Sequence, residues 1–203
     1  MAFIDTLPMQ LFVLGFSALV LVYITTESYS LWKNGKNIRR GVRSAQIPLA
    51  VLGGYALLMG IYGQIVWPLP GAYNILFYDV YVMFGLVMVS LAWALHSDLK
   101  ARYAGILSLL AGAVTILYGI SGYNLDLTSA PIALLALYGL FGFGAILAYP
   151  VTIMIDRAQE RVKNSSTFWI ALVGLFALVM LVAGLLALFI GVSAIPGHLA
   201  SPP

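Results

Sequence analysis

Few residues in this chain have the chemistry to hold a proton, a metal or a substrate. Glu27 lies within an apolar stretch, in the run Tyr23-Ile24-Thr25-Thr26-Glu27-Ser28-Tyr29. An ionisable group at membrane depth is costly and usually faces a polar interior or a water-filled cavity. Glu27, with Thr26 and Tyr23 as hydrogen-bond partners, is therefore a candidate proton or cation site. The competing reading is a carboxylate paired with the basic loop that follows, since Lys33 is only roughly 9 Å further along the same helix. A second candidate is the segment from Trp67 through Pro68, Pro70, Gly71, Tyr73, Asn74 and Tyr78 to Asp79. Its two prolines stop a helix and stiffen the connector, and Gly71 permits the turn. Trp67, Tyr73 and Tyr78 are amphipathic rings suited to a membrane interface. With Tyr62 and Gln64 from the preceding span, and with Asn74 and Asp79, this segment is a candidate outer pocket for a lipid or quinone. The plainer alternative is an aromatic belt on a rigid connector.

The rest of the catalytic inventory is thin. There is no Cys and there are two His, His96 and His198. A haem held by two His needs both to face one cavity, and a zinc site needs a compact donor set. The two fall on opposite sides of the predicted membrane, so neither centre is expected. No glycine-rich phosphate loop, nucleophile elbow or paired-His zinc motif occurs. The chain is expected not to be an enzyme, with no catalytic residue, metal or obligatory cofactor, although a bound lipid or quinone is compatible with it.

These side chains must be positioned by membrane-spanning helices. Of 203 residues, 62% are hydrophobic and 8% charged, with a mean hydropathy of +1.00. An average soluble domain is roughly 45–50% apolar and about 25% charged, so a soluble globular fold is excluded. A helix needs about 20 apolar residues to cross a bilayer. Six stretches qualify, over residues 9–32, 47–67, 75–95, 103–122, 131–155 and 168–192. A β-barrel would show strands of about 10 residues with strict alternation, which this chain lacks. The fold class is an all-α integral membrane protein, one domain over residues 1–203.

All ten Lys and Arg fall in three loops. Lys33, Lys36, Arg39, Arg40 and Arg43 follow the first span, Lys100 and Arg102 the third, and Arg157, Arg161 and Lys163 the fifth. Positive charge is retained on the cytoplasmic side, so a cell-membrane protein with both termini outside is expected. Binding of anionic lipid head groups is compatible with the same pattern, while nucleic-acid binding is not expected. The first span has no basic residue before it and exceeds a signal-peptide core. It is expected to remain in the mature chain. Asn164-Ser165-Ser166 matches a glycosylation acceptor, but in a predicted inner loop.

Small residues indicate how the helices pack, because lipid gives helices no hydrophobic reason to associate and close backbone contact takes over. Gly105, Ser108, Gly112, Thr115, Gly119 and Gly122 recur three and four residues apart in the fourth span. Gly53, Ala56, Gly60 and Gly63 do the same in the second. Gly139, Gly142 and Gly144 mark a further close-approach surface in the fifth. The second and fourth spans are predicted to be central. The sixth, the greasiest, is predicted to be peripheral and lipid-facing. An internal repeat is also suggested. Tyr62-Gly63 followed by Tyr73-Asn74 is echoed by Tyr118-Gly119 followed by Tyr123-Asn124, and Asp98 by Asp156. That pattern would make spans two–three and four–five a pair of parallel hairpins, as in some transporters. Chance recurrence of Tyr and Gly in an apolar chain would look similar.

The stretch Trp67-Pro68-Leu69-Pro70-Gly71-Ala72-Tyr73-Asn74-Ile75, followed by Phe77 and Asp79, resembles a family of small multi-span membrane proteins. That family is found largely in archaea and some bacteria and is catalogued as domain of unknown function 981. The resemblance implies a prokaryotic source and no particular reaction, so no site residue is carried over from it. Three functions remain. The first is a non-catalytic subunit of a larger membrane complex, respiratory or redox in kind, or a homo-oligomer. The second is a proton- or cation-coupled transporter or channel using Glu27, and the third a lipid- or quinone-binding protein, or an enzyme acting on a lipid or quinone, with the outer pocket. The expected partners are the bilayer and other membrane subunits or copies of the chain itself.

Overall fold

A computed structural model describes residues 6–159 and 167–200. Its helices are α1 (Leu7–Lys33), α2 (Ile38–Val42), α3 (Gln46–Val66), α4 (Ala72–His96), α5 (Arg102–Asn124), α6 (Pro131–Gln159) and α7 (Thr167–Ala200). A single 3-10 turn, Arg43–Ala45, joins α2 to α3. Six of these elements are long and apolar enough to cross a membrane, α2 and α3 counting together as one. The protein is thus an all-α bundle of six spans. Pro150 lies inside α6 and Pro196 inside α7, which membrane helices tolerate where neighbours re-satisfy the freed backbone groups.

The ends of the spans follow local chemistry. Pro8 stands in the first turn of α1, where its missing N–H costs nothing. α3 stops at Trp67, whose φ of 53° is left-handed, directly before Pro68. Gly71 then takes a φ of 53° to open α4, a conformation that a side chain would strain. Eight Lys and Arg, from Lys33 to Arg157, gather at one end of the bundle. That end is called the basic end here and the opposite one the termini end. Arg161, Lys163 and the Asn164 glycosylation motif lie outside the described residues.

The six spans close into a ring of contacts. α1 packs on α3, α3 on α4, α4 on α5, α5 on α6, α6 on α7, and α7 back on α1. Three of these joins are the most extensive: α3 with α4, α5 with α6, and α7 with α1. The three pairs share a detail toward the termini end. A glycine of one helix sits against an aromatic ring of its antiparallel partner: Gly63 against Tyr78, Gly119 against Tyr138, Gly191 against Phe12. A methyl group at Gly119 would come 2.5 Å from the Tyr138 Cβ, and one at Gly191 3.2 Å from the Phe12 ring. The two hairpins marked in the sequence share this contact, and the two ends of the ring supply a third pair of the same kind.

Helix-packing glycines behave as close-contact residues. Gly53 abuts Met88, Gly60 abuts Val82, Gly105 abuts Thr152, and Gly112 lies against the Gly142 carbonyl. Gly142 and Gly144 do likewise, whereas nothing stands within 4 Å of a Cβ built at Gly139. Two expectations are corrected. α5 is not central: its glycine face is buried, but Leu110 and Leu117 are about 60% exposed on the other side. α3 is equally one-sided, with Leu58 and Ile65 exposed. A stripe of small residues marks how closely one neighbour approaches, not how many neighbours there are. α7 is no more peripheral than the other spans: it exposes Leu178, Leu185 and Phe189 on one side and buries Val173, Phe176, Met180, Ala183 and Ala187 against α1 and α6 on the other. In lipid, an apolar residue fits either a packed or an exposed face, so greasiness does not choose between them.

Candidate functional site

The segment from Trp67 to Asp79 divides into a structural half and a polar half. Asn74 is almost fully buried and ties the connector to α3. Its side-chain oxygen accepts from the Leu69 N–H at 3.2 Å, and its Nδ2 donates to the Gly63 carbonyl at 2.8 Å. The Gly63 carbonyl, which also accepts from the Trp67 N–H at 3.1 Å, lies in the last turn of α3, so Asn74 is a staple of the connector. Trp67 is exposed, and Tyr73 stacks on Phe77 at 6.3 Å between ring centroids. Asp79 instead joins three helices. Gln64 Nε2 donates to its Oδ1 at 3.1 Å from α3, and the Tyr118 hydroxyl donates to its Oδ2 at 2.7 Å from α5. The structure therefore brings Gln64 and Asp79 together and adds Tyr118. Sequence reading placed Tyr118 only in the repeat. Tyr62 makes no hydrogen bond to this group among the described residues.

On the other side of α4 the ring encloses an elongated cavity of about 340 Å³, within the range of roughly 300–1,000 Å³ usual for ligand pockets. It starts at the termini end among Leu7, Thr128, Ala133 and Ala194, and runs to Leu91, Ala104 and Thr152 toward the basic end. This cavity is distinct from the predicted outer pocket. None of Tyr62, Gln64, Trp67, Tyr73, Asn74 or Asp79 lines the cavity, because the α4 face toward it is that of Phe77, Val80, Tyr81 and Phe84. The wall is mostly apolar, and three of its polar residues are turned away from it, although the buried Tyr81 hydroxyl has no partner among the described residues. Ser108 donates to the Ala145 carbonyl at 2.9 Å, Thr115 to Ala111 at 2.8 Å and Thr152 to Tyr149 at 2.7 Å, so these hydroxyls are satisfied by backbone. Polar character concentrates near the mouth. Gln10 Nε2 donates to Thr6 Oγ1 at 3.0 Å, and Thr6 Oγ1 lies 2.5 Å from the Tyr78 hydroxyl. Tyr138, which also lines the cavity, donates to the Leu76 carbonyl at 2.7 Å.

None of Glu27, Thr26 and Tyr23 lines this cavity. Thr26 Oγ1 donates back to the Val22 and Tyr23 carbonyls of its own helix at 2.8 and 3.1 Å, and the Tyr23 side chain is exposed. Among the described residues, Glu27 forms neither a hydrogen bond nor an ion pair. The basic end instead holds two anchors that the sequence did not reveal. Asp156, buried on α6, accepts from the Ala101 and Arg102 N–H groups at 2.9 and 3.1 Å and from Arg102 Nε at 2.9 Å. It thus supplies the N-terminal cap of α5 from another helix. Arg39 donates to the Asp98 and Leu99 carbonyls at 2.5 and 3.3 Å, holding the end of α4. His96 Nδ1 lies 3.1 Å from Gln46 Oε1. His198 is near the far end of α7, so the two His do not share a site. No group of three or more His, Cys, Asp or Glu suited to a metal occurs among the described residues.

A ring of six long apolar helices, five of which line a mostly apolar cavity, defines a polytopic α-helical membrane protein. The profile of the family described as protein of unknown function, DUF981, matches residues 1–201. The chain belongs to that family. Comparison with curated proteins and with solved structures finds no match for the chain.

Proposed function

We propose that the protein binds a long apolar chain, the tail of a lipid or quinone, inside the ring. The observation that carries this reading is the elongated cavity, lined mostly by carbon, in which the Ser108, Thr115 and Thr152 hydroxyls turn to backbone and the buried Tyr81 and Thr128 hydroxyls have no partner among the described residues. An acyl or isoprenoid chain matches such a wall, and the Gln10 amide and Thr128 hydroxyl toward the termini end suit a small polar head. This ranks ligand binding ahead of the purely structural subunit role and of a Glu27-based transporter. The former rests on the thin catalytic inventory, and the latter on Glu27, which does not line this cavity. Protein purified in mild detergent and extracted with organic solvent is expected to release one amphiphile in near-stoichiometric amount, read by mass spectrometry. Ala133→Trp, which fills the mouth, is expected to cut that occupancy by about tenfold, equivalent to 1.4 kcal/mol of binding, with an unchanged size-exclusion profile. An extract no richer than the detergent blank, or equal occupancy in Ala133→Trp, would overturn the reading.

We also infer that the protein sits in the cell membrane with the basic end on the cytoplasmic side and the termini end outside, because Lys and Arg are retained inside. Ser44 is exposed at the basic end, in a chain without Cys. In Ser44→Cys, an impermeant maleimide is expected to label only after the cells are permeabilised. Labelling of intact cells would reverse the assignment.

A further inference from the structure

Asp79 lies well inside α4, half-buried, with each carboxylate oxygen accepting one hydrogen bond from a neutral donor. The helices meeting there bring no opposite charge. α3 carries no charged residue along its length, α5 carries only Arg102 at its opposite end, and α4 only His96, also at its opposite end. Tyr118 is the titratable group facing the carboxylate. The cations of the basic end stand on the order of 25 Å away along α4. A clamp joining three helices needs no charge, since an asparagine would accept and donate equally well. A carboxylate at this depth carries a desolvation cost that a neutral clamp avoids. In the other two glycine–aromatic pairs the residue after the ring is uncharged, Val13 after Phe12 and Gly139 after Tyr138. Asp79 is where the first pair departs from the shared pattern.

We propose that Asp79 is a proton-exchange carboxyl, loaded from the termini end of the bundle and oriented by Gln64 and Tyr118. Its charge is neutralised by a proton from outside the protein because the helices packed around it supply no cation among the described residues. The site faces α3 and α5, away from the cavity, and stands independently of the lipid-binding reading.

The test is reaction of the full chain, in phosphatidylcholine vesicles, with dicyclohexylcarbodiimide. A protonated carboxyl adds across one C=N bond of this reagent. Its proton ends on nitrogen, its oxygen on the central carbon, and the adduct rearranges to a stable N-acylurea that peptide mass mapping locates. An adduct on Asp79 is expected at mildly acidic pH, lost completely in Asp79→Asn and retained in Glu27→Gln. Absence of an adduct on Asp79 in the unaltered protein would overturn the proposal, and this readout does not depend on the folding of any variant. Complete suppression of the adduct by sodium or potassium at constant pH and ionic strength would overturn it too, by assigning the site to a metal cation.

Discussion

Gly112→Leu is expected to prevent the α5–α6 pair from closing and to abolish recovery of folded protein. A Cβ at this position would lie 2.5 Å from the Gly142 carbonyl oxygen and 2.9 Å from the Ala145 Cβ. Both belong to backbone or to an atom fixed to it, so no side-chain rotation relieves the clash. The helices would have to separate along the whole seam from Gly105 to Gly122. Overpacking of this kind costs typically about 1–3 kcal/mol and occasionally more, and here it strikes one of the three principal joins of the ring. Gly54→Leu and Gly139→Leu are the controls, since no atom stands within 4 Å of a Cβ at either. They are expected to change stability by no more than about 0.5 kcal/mol. Fluorescence-detected size exclusion and thermal unfolding in detergent read all three. Equal behaviour of Gly112→Leu and Gly139→Leu would show that the seam is not a close contact.

Asp156→Ala is expected to be nearly as damaging, for an electrostatic reason. It strands two backbone N–H groups at the start of α5 and removes the carboxylate that Arg102 Nε donates to, in a site where that carboxylate is only 2% exposed. Losing one partner of a buried pair costs about 3–5 kcal/mol. Arg102 is 30% exposed, so solvent screens part of that loss, while a lost helix cap costs about 1 kcal/mol. A total of about 3 kcal/mol follows, read as a lower unfolding temperature in detergent. Asp156→Asn retains one acceptor oxygen and is expected to lose about half as much. An unfolding temperature unchanged in Asp156→Ala would mean that α5 is capped by other groups.

The spans themselves were legible from hydropathy alone. The stretches read as 47–67 and 103–122 appear as Gln46–Val66 and Arg102–Asn124, because the length of apolar sequence needed to cross lipid is fixed by the bilayer. The close contacts were legible too, since Gly53, Gly60, Gly63, Gly105, Gly112 and Gly119 each stand where a Cβ would collide. What could not be read was which face looks inward. In water, burial separates apolar from polar residues; in lipid, Leu117 on the outside of α5 and Leu137 in the core are chemically alike. The cavity was missed for the same reason. The small residues around it, such as Ala104, Ala111 and Ala148, can equally well bring a neighbour close or leave a space. Tyr118 and Asp156 were visible as members of a repeat, but their partners are set by which helices meet. α2 was also missed. Its five residues are too few to show a period, and Asn37, whose side chain accepts from the Arg40 N–H at 3.0 Å, was its one local signal.

The pairing of α1 with α7 sets an order in time. Each of the other two principal pairs joins consecutive spans, so each can close as soon as its second helix leaves the ribosome. α1 is made first and must stand in the bilayer until its partner is made last. At roughly 5–20 residues per second, that wait is on the order of ten seconds. Throughout it, Gly15, Ala18 and their neighbours face lipid or a provisional companion, and the lining that α7 contributes through Phe176 and Met180 is missing. The cavity therefore comes into being only with the final helix, and whatever occupies it can be enclosed as the ring closes.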